Sequence, residues 1–282
     1  MDIQQTSNNI KSGFVDFINS NSLVAKISFL LFVLFVFIIL LQVSITLLSW
    51  LFLPSSSPHL ITGMIDAKQM LIIPQDPSVV GAKTINRSIN ATDGIEFTWS
   101  IWIFINDVGP AGNKYHHIFH KGNDTTDDNG ISSPNNAPGL YLNPNTNALT
   151  VLMNTYDVIN EEVIIPDIPM NKWINVIIRV KNRDLDVYIN GTITKSIQLL
   201  GVPKQNYGPV YVAMNGGFSG YISNLWYYNY AMGASAIQSL VQKGPNTTMS
   251  GNSSMNLKNP DYLSLRWYFS NATEYPINDQ FN

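Results

Sequence analysis

Met170 to Gly191, MNKWINVIIRVKNRDLDVYING, restricts the fold of this chain more than any other stretch. A tryptophan introduces an alternating run, Ile174, Val176, Ile178 and Val180. A polar turn, Lys181-Asn182-Arg183-Asp184, follows, and Leu185, Val187 and Ile189 then alternate up to Asn190-Gly191. Period-2 alternation on both sides of a short polar connection predicts two antiparallel strands sharing one buried face. Asn-Gly predicts a further reversal, because a type I′ turn needs positive φ at both central residues. Thr192 to Gln198 is then the third strand, and the common apolar face needs a cover. The expected cover is the pair of strands at Phe97–Ile105 and Tyr221–Tyr230.

The rest of the chain after residue 63 reads the same way. Met64 to Ile73 predicts a first strand ended by Pro74 and Pro77. IEFTWSIWIFI (Ile95–Ile105) places Phe97, Trp99, Ile101, Ile103 and Ile105 on one face, as an inner strand of a sandwich would. KYHHIFHK (Lys114–Lys121) is a shorter strand, with its histidines read as solvent-facing and His116 and His120 on one side. Leu140–Leu142 and Ala148–Met153 form a hairpin, and Glu162–Ile165 and Val210–Met214 are further strands. Gly233 to Val241 is the convincing helix of this region. Leu263 to Phe269 is a candidate returning edge strand in a tail rich in Asn, Ser and Thr.

Ahead of this lies Ile27 to Leu53, ISFLLFVLFVFIILLQVSITLLSWLFL, without a charged residue. About 20 apolar residues cross a bilayer, so this run is read as a transmembrane helix. A cleaved signal peptide has a core of about 7–15 residues ending in small side chains, whereas this run is longer and ends Trp-Leu-Phe-Leu. Lys11 and Lys26 precede the run and Lys68 is the first basic residue after it. The positive-inside rule then expects a single pass with a cytosolic N-terminus and an exoplasmic or lumenal C-terminal domain. The expected organisation is a polar tail over 1–26, whose Ile10, Phe14, Phe17 and Ile18 share a helical face. A transmembrane helix over 27–53, a linker over 54–62, a β domain over 63–243 and a polar tail over 244–282 complete it.

Only 12% of the 282 residues are charged, for a net charge of −3, about half the usual charged share. No basic footprint for nucleic acid exists, and without cysteine there is no disulfide framework or thiolate chemistry. Asn-X-Ser/Thr triplets at Asn86, Asn90, Asn123, Asn190, Asn246, Asn252 and Asn271 all follow the apolar run and mark candidate glycosylation sites of a glycoprotein.

The order of these segments resembles the laminin-G-like, concanavalin A-like jelly-roll family. The segments are FTWSIWIFI, IFHKGND (Ile118–Asp124), PGLYL (Pro138–Leu142), NKWINVIIRV (Asn171–Val180), LDVYINGT (Leu185–Thr192) and FSGYISNLWYYNYAM (Phe218–Met232), closed by Ala236–Val241 as the family's last helix. The family's usual His-His after the tryptophan is Ile174-Asn175 here. The resemblance implies a mainly β, antiparallel two-sheet jelly-roll sandwich preceded by one transmembrane helix, and a lectin-like carbohydrate- or protein-binding role. An anchored domain of this kind is also similar to membrane proteins of large DNA viruses, which implies a virion location.

Three chemistries bear on these residues. Family members often carry calcium on a rim loop, and Asp124, Asp127, Asp128 and Asn129 supply the oxygen ligands it prefers. Tyr227, Tyr228 and Tyr230 are candidates to stack on a ligand. Sandwich glycosidases need two carboxylates facing one substrate. Here Glu161-Glu162 point to opposite faces, and Asp184 and Asp186 read as solvated hairpin charges. The expected function is therefore a non-catalytic, membrane-anchored module that binds a glycan or protein partner. A structural scaffold packing on neighbouring proteins is the alternative, and a glycoside hydrolase the second. Ligand recognition is expected to lie in the loop from Gly122 to Pro138.

Overall fold

The computed structural model describes residues 15–16, 22–52, 55–91, 94–109 and 112–250. The chain divides into two units, 1–53 and 54–282. In the first, α1 (Leu23–Phe52) starts four residues before the apolar run. At about 1.5 Å per residue its 30 residues span roughly 45 Å, more than the ~30 Å hydrocarbon core of a bilayer. Its side chains are exposed almost throughout, and the Thr46 hydroxyl is satisfied by donating to the Gln42 carbonyl (2.9 Å). Length and composition suffice to cross a membrane, a test that a signal sequence also passes. The expected helical face of residues 10–18 and the strand expected at 263–269 lie outside the described residues.

The second unit is mostly β. It comprises β1 (His59–Asp66), β2 (Leu71–Ile73), β3 (Ile89–Ala91), β4 (Gly94–Ile105), β5 (His116–Gly122), β6 (Asn136–Leu142) and β7 (Leu149–Met153). These are followed by β8 (Glu161–Ile165), β9 (Trp173–Lys181), β10 (Asp184–Ile189), β11 (Thr192–Gln198), β12 (Val210–Val212), β13 (Gly220–Tyr228) and the helix α2 (Ala234–Lys243). One antiparallel sheet of seven strands runs β1-β13-β4-β9-β10-β11, with β3 beside β4; a second of six runs β2-β12-β5-β6-β7-β8. The expected meander of the opening stretch forms in full: β9 pairs with β10 and β10 with β11, and Asn182 and Asn190 take positive φ at the two turns.

The cover of that meander differs from expectation. β4 and β13 lie in the same sheet as β9, hydrogen-bonded edge to edge, so they extend its face rather than bury it. The other sheet supplies the cover: Ile118, Leu140, Leu142, Val151, Val163, Val210 and Val212 join Trp99, Ile101, Val176, Ile178, Leu185 and Val187 in one buried cluster. The strand expected over 64–73 is likewise two strands, one in each sheet, with the chain crossing between them at residues 67–70. Alternation reports which residues share a face; it carries no record of which sheet a strand joins.

The outer face of the seven-stranded sheet carries α2. Ile237 packs on Ile177 and Met232, bordered by Tyr188, Tyr228, Leu240 and Val241, which explains why Ile177 and Tyr188 are apolar on a face that alternation assigns to solvent. Trp173 is half-buried on this same outer face, edge-on to Phe104 (centroids 5.6 Å), and so is not part of the core expected of it. Asp186 also departs from the expected solvated charge: it is buried, pairs with Arg179 (2.6 Å) and accepts from Ser196 (2.6 Å). Among the described residues, every member of both hydrophobic clusters lies at or after Leu60, so α1 supplies none of the described core.

Candidate functional site

A cavity of about 510 Å3 opens at one end of the sandwich, between the two sheets. That volume falls within the roughly 300–1,000 Å3 of small-molecule sites. Its floor is aromatic: Phe97 and Trp99 from β4 and Tyr227 from β13, each at most 2% exposed. Ile85 and Ala137 extend the apolar wall. Around the mouth stand Gln75, Asp76, Asn86, Arg87, Gln205, Asn206 and Tyr207, all on loops.

Backbone hydrogen bonds hold these loops in place. The Gln75 side chain accepts from the Ile85 amide (2.8 Å), and the Lys83 amide donates to the Pro74 carbonyl (3.0 Å), which closes the segment 74–85. Asp76 accepts from the Ser78 amide and hydroxyl, bonds that lower its pKa. Tyr227 donates its hydroxyl to the Asn86 carbonyl (2.9 Å), and burial raises its pKa. Loop 203–209 is fixed by Asn206, whose Nδ2 donates to the Lys121 carbonyl (2.9 Å). Gly122 and Gly208 approach so closely that a Cβ on Gly208 would collide with the Gly122 backbone.

Lys121, on β5, is the buried charge of this site. Its Nζ donates to the carbonyls of Asn206 (2.6 Å) and Gly208 (2.9 Å) and to Asn206 Oδ1 (3.3 Å), all neutral acceptors. The one ion pair among the described residues is Arg179–Asp186, so neither Lys121 nor the exposed Arg87 has a carboxylate partner there. Burial pushes the Lys121 ammonium down to about 8.

The structure separates the three tyrosines expected to act together. Tyr227 lines the cavity floor, whereas Tyr228 and Tyr230 lie against each other on the opposite face of the sheet (centroids 5.8 Å). Tyr228 extends there a stack of Trp226 on His59 (3.8 Å), and burial pushes its hydroxyl up to about 12. No sequence pattern marks Arg87, Lys121, Asn206 and Tyr207 as a group. A Gln-Asn-Tyr-Gly segment between Pro203 and Pro209 was the one available cue, since it offers polar and aromatic side chains where no strand can run.

The acidic loop 123–135 lies elsewhere. It forms a small hairpin, with Thr126 bridged to Ser132, and sits on the face of the six-stranded sheet away from the core. Asp127 accepts from the amides of Asn129 (3.1 Å) and Ile131 (2.8 Å), so one oxygen of the expected calcium set is already committed to the turn. Among the described residues, no three His, Cys, Asp or Glu side chains converge as a metal site. Of the candidate glycosylation sites, Asn86 borders the cavity, Asn90 lies in β3, and Asn123, Asn190 and Asn246 are exposed. Asn252 and Asn271 lie outside the described residues.

Beneath that loop the histidines depart from the solvent-facing strand expected of them. A register shift at Ile118 lets both Ile118 and Phe119 face the core, which turns His117 and His120 together onto the outer face. Both are fully buried, at 1% and 0% exposure. The Met214 amide donates to His117 Nδ1 (3.0 Å), so the proton of His117 sits on Nε2 and points at His120 Nδ1 (2.6 Å). His120 must then carry its proton on Nε2, where it donates to the Asn123 carbonyl (2.7 Å). Ser132 Oγ lies 3.2 Å from the same His120 Nδ1, and Tyr211 stacks on the His120 ring at 5.0 Å. Burial holds both imidazoles neutral: His120 is pushed down to about 4, and His117 is lowered further by the neighbouring His120.

The family comparison agrees with this architecture. The sequence profile of the Laminin_G_3 family, described as the concanavalin A-like lectin/glucanases superfamily, matches residues 81–238. No curated protein matches the sequence. Among solved structures, the ligand-binding domain of botulinum neurotoxin serotype D in complex with N-acetylneuraminic acid is 12% identical with a TM-score of 0.48, over 64% of this chain and 42% of that one. The binding domain of botulinum neurotoxin DC in complex with rat synaptotagmin II is 17% identical with a TM-score of 0.44, over 62% and 40%. The chain thus spans less than half the length of these solved chains.

Proposed function

The chain belongs to the concanavalin A-like lectin/glucanases superfamily, and we propose that its β domain is a non-catalytic recognition module that takes a glycan or protein partner at the inter-sheet cavity. The observation that carries this reading is the cavity itself, an aromatic floor ringed by planar amide, carboxylate and guanidinium side chains. Such groups meet paired hydroxyls or peptide bonds with two hydrogen bonds at once, while the exposed ring of Tyr207 can accept C–H surface. Tyr207, 80% exposed at the mouth, supplies contact area that the isolated domain leaves in water.

Glycosidase chemistry draws no support from the same residues. Two carboxylates must flank the scissile bond, and the cavity is lined by one, Asp76. Glu161 is occupied by the amides of Leu200 (2.8 Å) and Gly201 (3.1 Å), and Asp186 by Arg179 and Ser196. In the full reading α1 anchors the module in a bilayer, its N-terminus cytosolic and its β domain exoplasmic or lumenal, as on a viral envelope. A glycan array probed with residues 55–282 tests the module. Selective binding lost in Tyr207→Ala supports it, and a flat profile moves the reading to a scaffold that packs on neighbouring proteins.

A further inference from the structure

We propose that the group entering the inter-sheet cavity is an amphipathic anion, its apolar body against Ile85 and Tyr207 and its acidic head on the side of Lys121 and Arg87. The inference rests on the reading of this cavity as the recognition site and adds the chemistry of what fills it. Two observations carry it, the charge balance and the shape of the wall.

Lys121 is an ammonium with 6% of its residue surface exposed and only neutral oxygens around it. Burying an ion without a counter-ion costs several kcal/mol, even when carbonyl dipoles satisfy its protons. A clip between β5 and loop 203–209 needs no charge, because Asn206 Nδ2 already makes that tie to the Lys121 carbonyl. The charge is therefore left over from structural needs, and it sits in the wall of a cavity. Arg87 adds a second cation at the mouth that has no ion pair among the described residues, and Asp76 is the one carboxylate among the described lining residues. Two cations against one carboxylate give the opening a net positive balance, in a chain whose overall charge is −3. An anion there regains the attraction the buried ammonium lacks, and restores the Lys121 pKa from about 8 toward its ordinary value.

The floor decides the rest of the ligand. Ile85 and Tyr207, with Phe97, Trp99 and Tyr227 packed behind them, give one wall little that could hold a hydroxyl or a free phosphate, so the part of the ligand against that wall is apolar, while Gln75, Gln205 and Asn206 remain for hydroxyls or amides. An aryl or acyl carboxylate or sulfonate has this division, and a neutral sterol-like or purely inorganic ligand does not.

The described core lies wholly within residues 55–282, so they can be tested without the helix. The probes are 8-anilinonaphthalene-1-sulfonate and its uncharged analogue N-phenyl-1-naphthylamine, titrated with fluorescence detection. The sulfonate should bind one per chain and at least about tenfold tighter than the neutral probe, as one charge-assisted contact implies. Lys121→Met and Arg87→Gln should each erase most of that preference while leaving the neutral probe's affinity in place. Ala137→Leu should block both probes with an unchanged or raised Tm, and Arg87→Gln, at an exposed position, keeps the test open should either core variant fold poorly. Equal binding of the two probes, insensitive to Lys121→Met and Arg87→Gln, overturns the anion while the cavity reading stands. Failure of both probes to bind, or binding unaffected by Ala137→Leu, overturns the cavity reading itself.

Discussion

Acidification from pH 7.5 to 5.0 should destabilise the β domain through His117 and His120. The two rings are linked head to tail, and every ring nitrogen is committed, from the Met214 amide at one end to the Asn123 carbonyl at the other. A further proton on either Nδ1 would face a donor already aimed at it. No carboxylate among the described residues is in ion-pair reach of either ring; Asp124 acts on Tyr211 and Asp127 on Tyr141, the two rings that pack on the histidines, and Lys121 follows His120 on β5 with its side chain tied to loop 203–209. His120 titrates at 6.5 when unfolded and about 4 when folded, so its contribution is complete above pH 6.5 and is lost as pH falls toward 4. At pH 5.0 the linkage relation gives about 2 kcal/mol for this one fully buried group, at 1.36 kcal/mol per pKa unit. His117, lowered in the same direction, adds to it. In a domain of this size about 2 kcal/mol is a Tm decrease of roughly 4–8 °C. Carboxylates elsewhere also respond to acid, so the measurement is a difference. Thermal melts at pH 7.5 and 5.0 are compared between wild type and His120→Gln, which keeps a donor toward Asn123 but cannot titrate. The wild type should lose about 2 kcal/mol more than the variant across that interval. Equal losses in the two proteins would show that the His120 proton is not excluded by the fold, and the argument fails.

The remaining predictions concern packing and ligands. Ile237→Ala, which removes the residue seating α2 on Ile177 and Met232, should cost about 2–4 kcal/mol in urea unfolding, and a loss under about 0.5 kcal/mol would show that α2 is not packed there. Asp186→Asn should cost about 1–3 kcal/mol, because it strands the largely buried Arg179 guanidinium; a neutral effect would mean that water already reaches it. Excess calcium should leave the melting midpoint where a chelator leaves it, since Asp127 is engaged by its own turn and, among the described residues, no three acids converge there. A rise with calcium would place a tight site in loop 123–135 after all.

Local pattern settled much of this protein. The apolar run from Ile27 defines a long helix, and alternation at 174–189 with Asn190-Gly191 dictates a three-stranded meander, because a strand's two faces and an Asn-Gly reversal are properties of neighbouring residues. The residues of β4, β7 and β13 announced themselves in the same way. What each strand pairs with is not local. Loop-closing contacts between distant segments put β4 and β13 in the same sheet as β9 rather than across from it, and divided the first expected strand between two sheets. One irregularity at Ile118 reversed the parity of β5, so histidines that alternation left in water became the buried link beneath loop 123–135. The cavity is more dependent still on tertiary structure. It exists only where Phe97, Trp99 and Tyr227 meet loops 75–87 and 203–209, and those loops carry no period to read. A core residue and a binding residue have the same sequence signature, an aromatic at an inward position. Only the gap left open between the sheets distinguishes them.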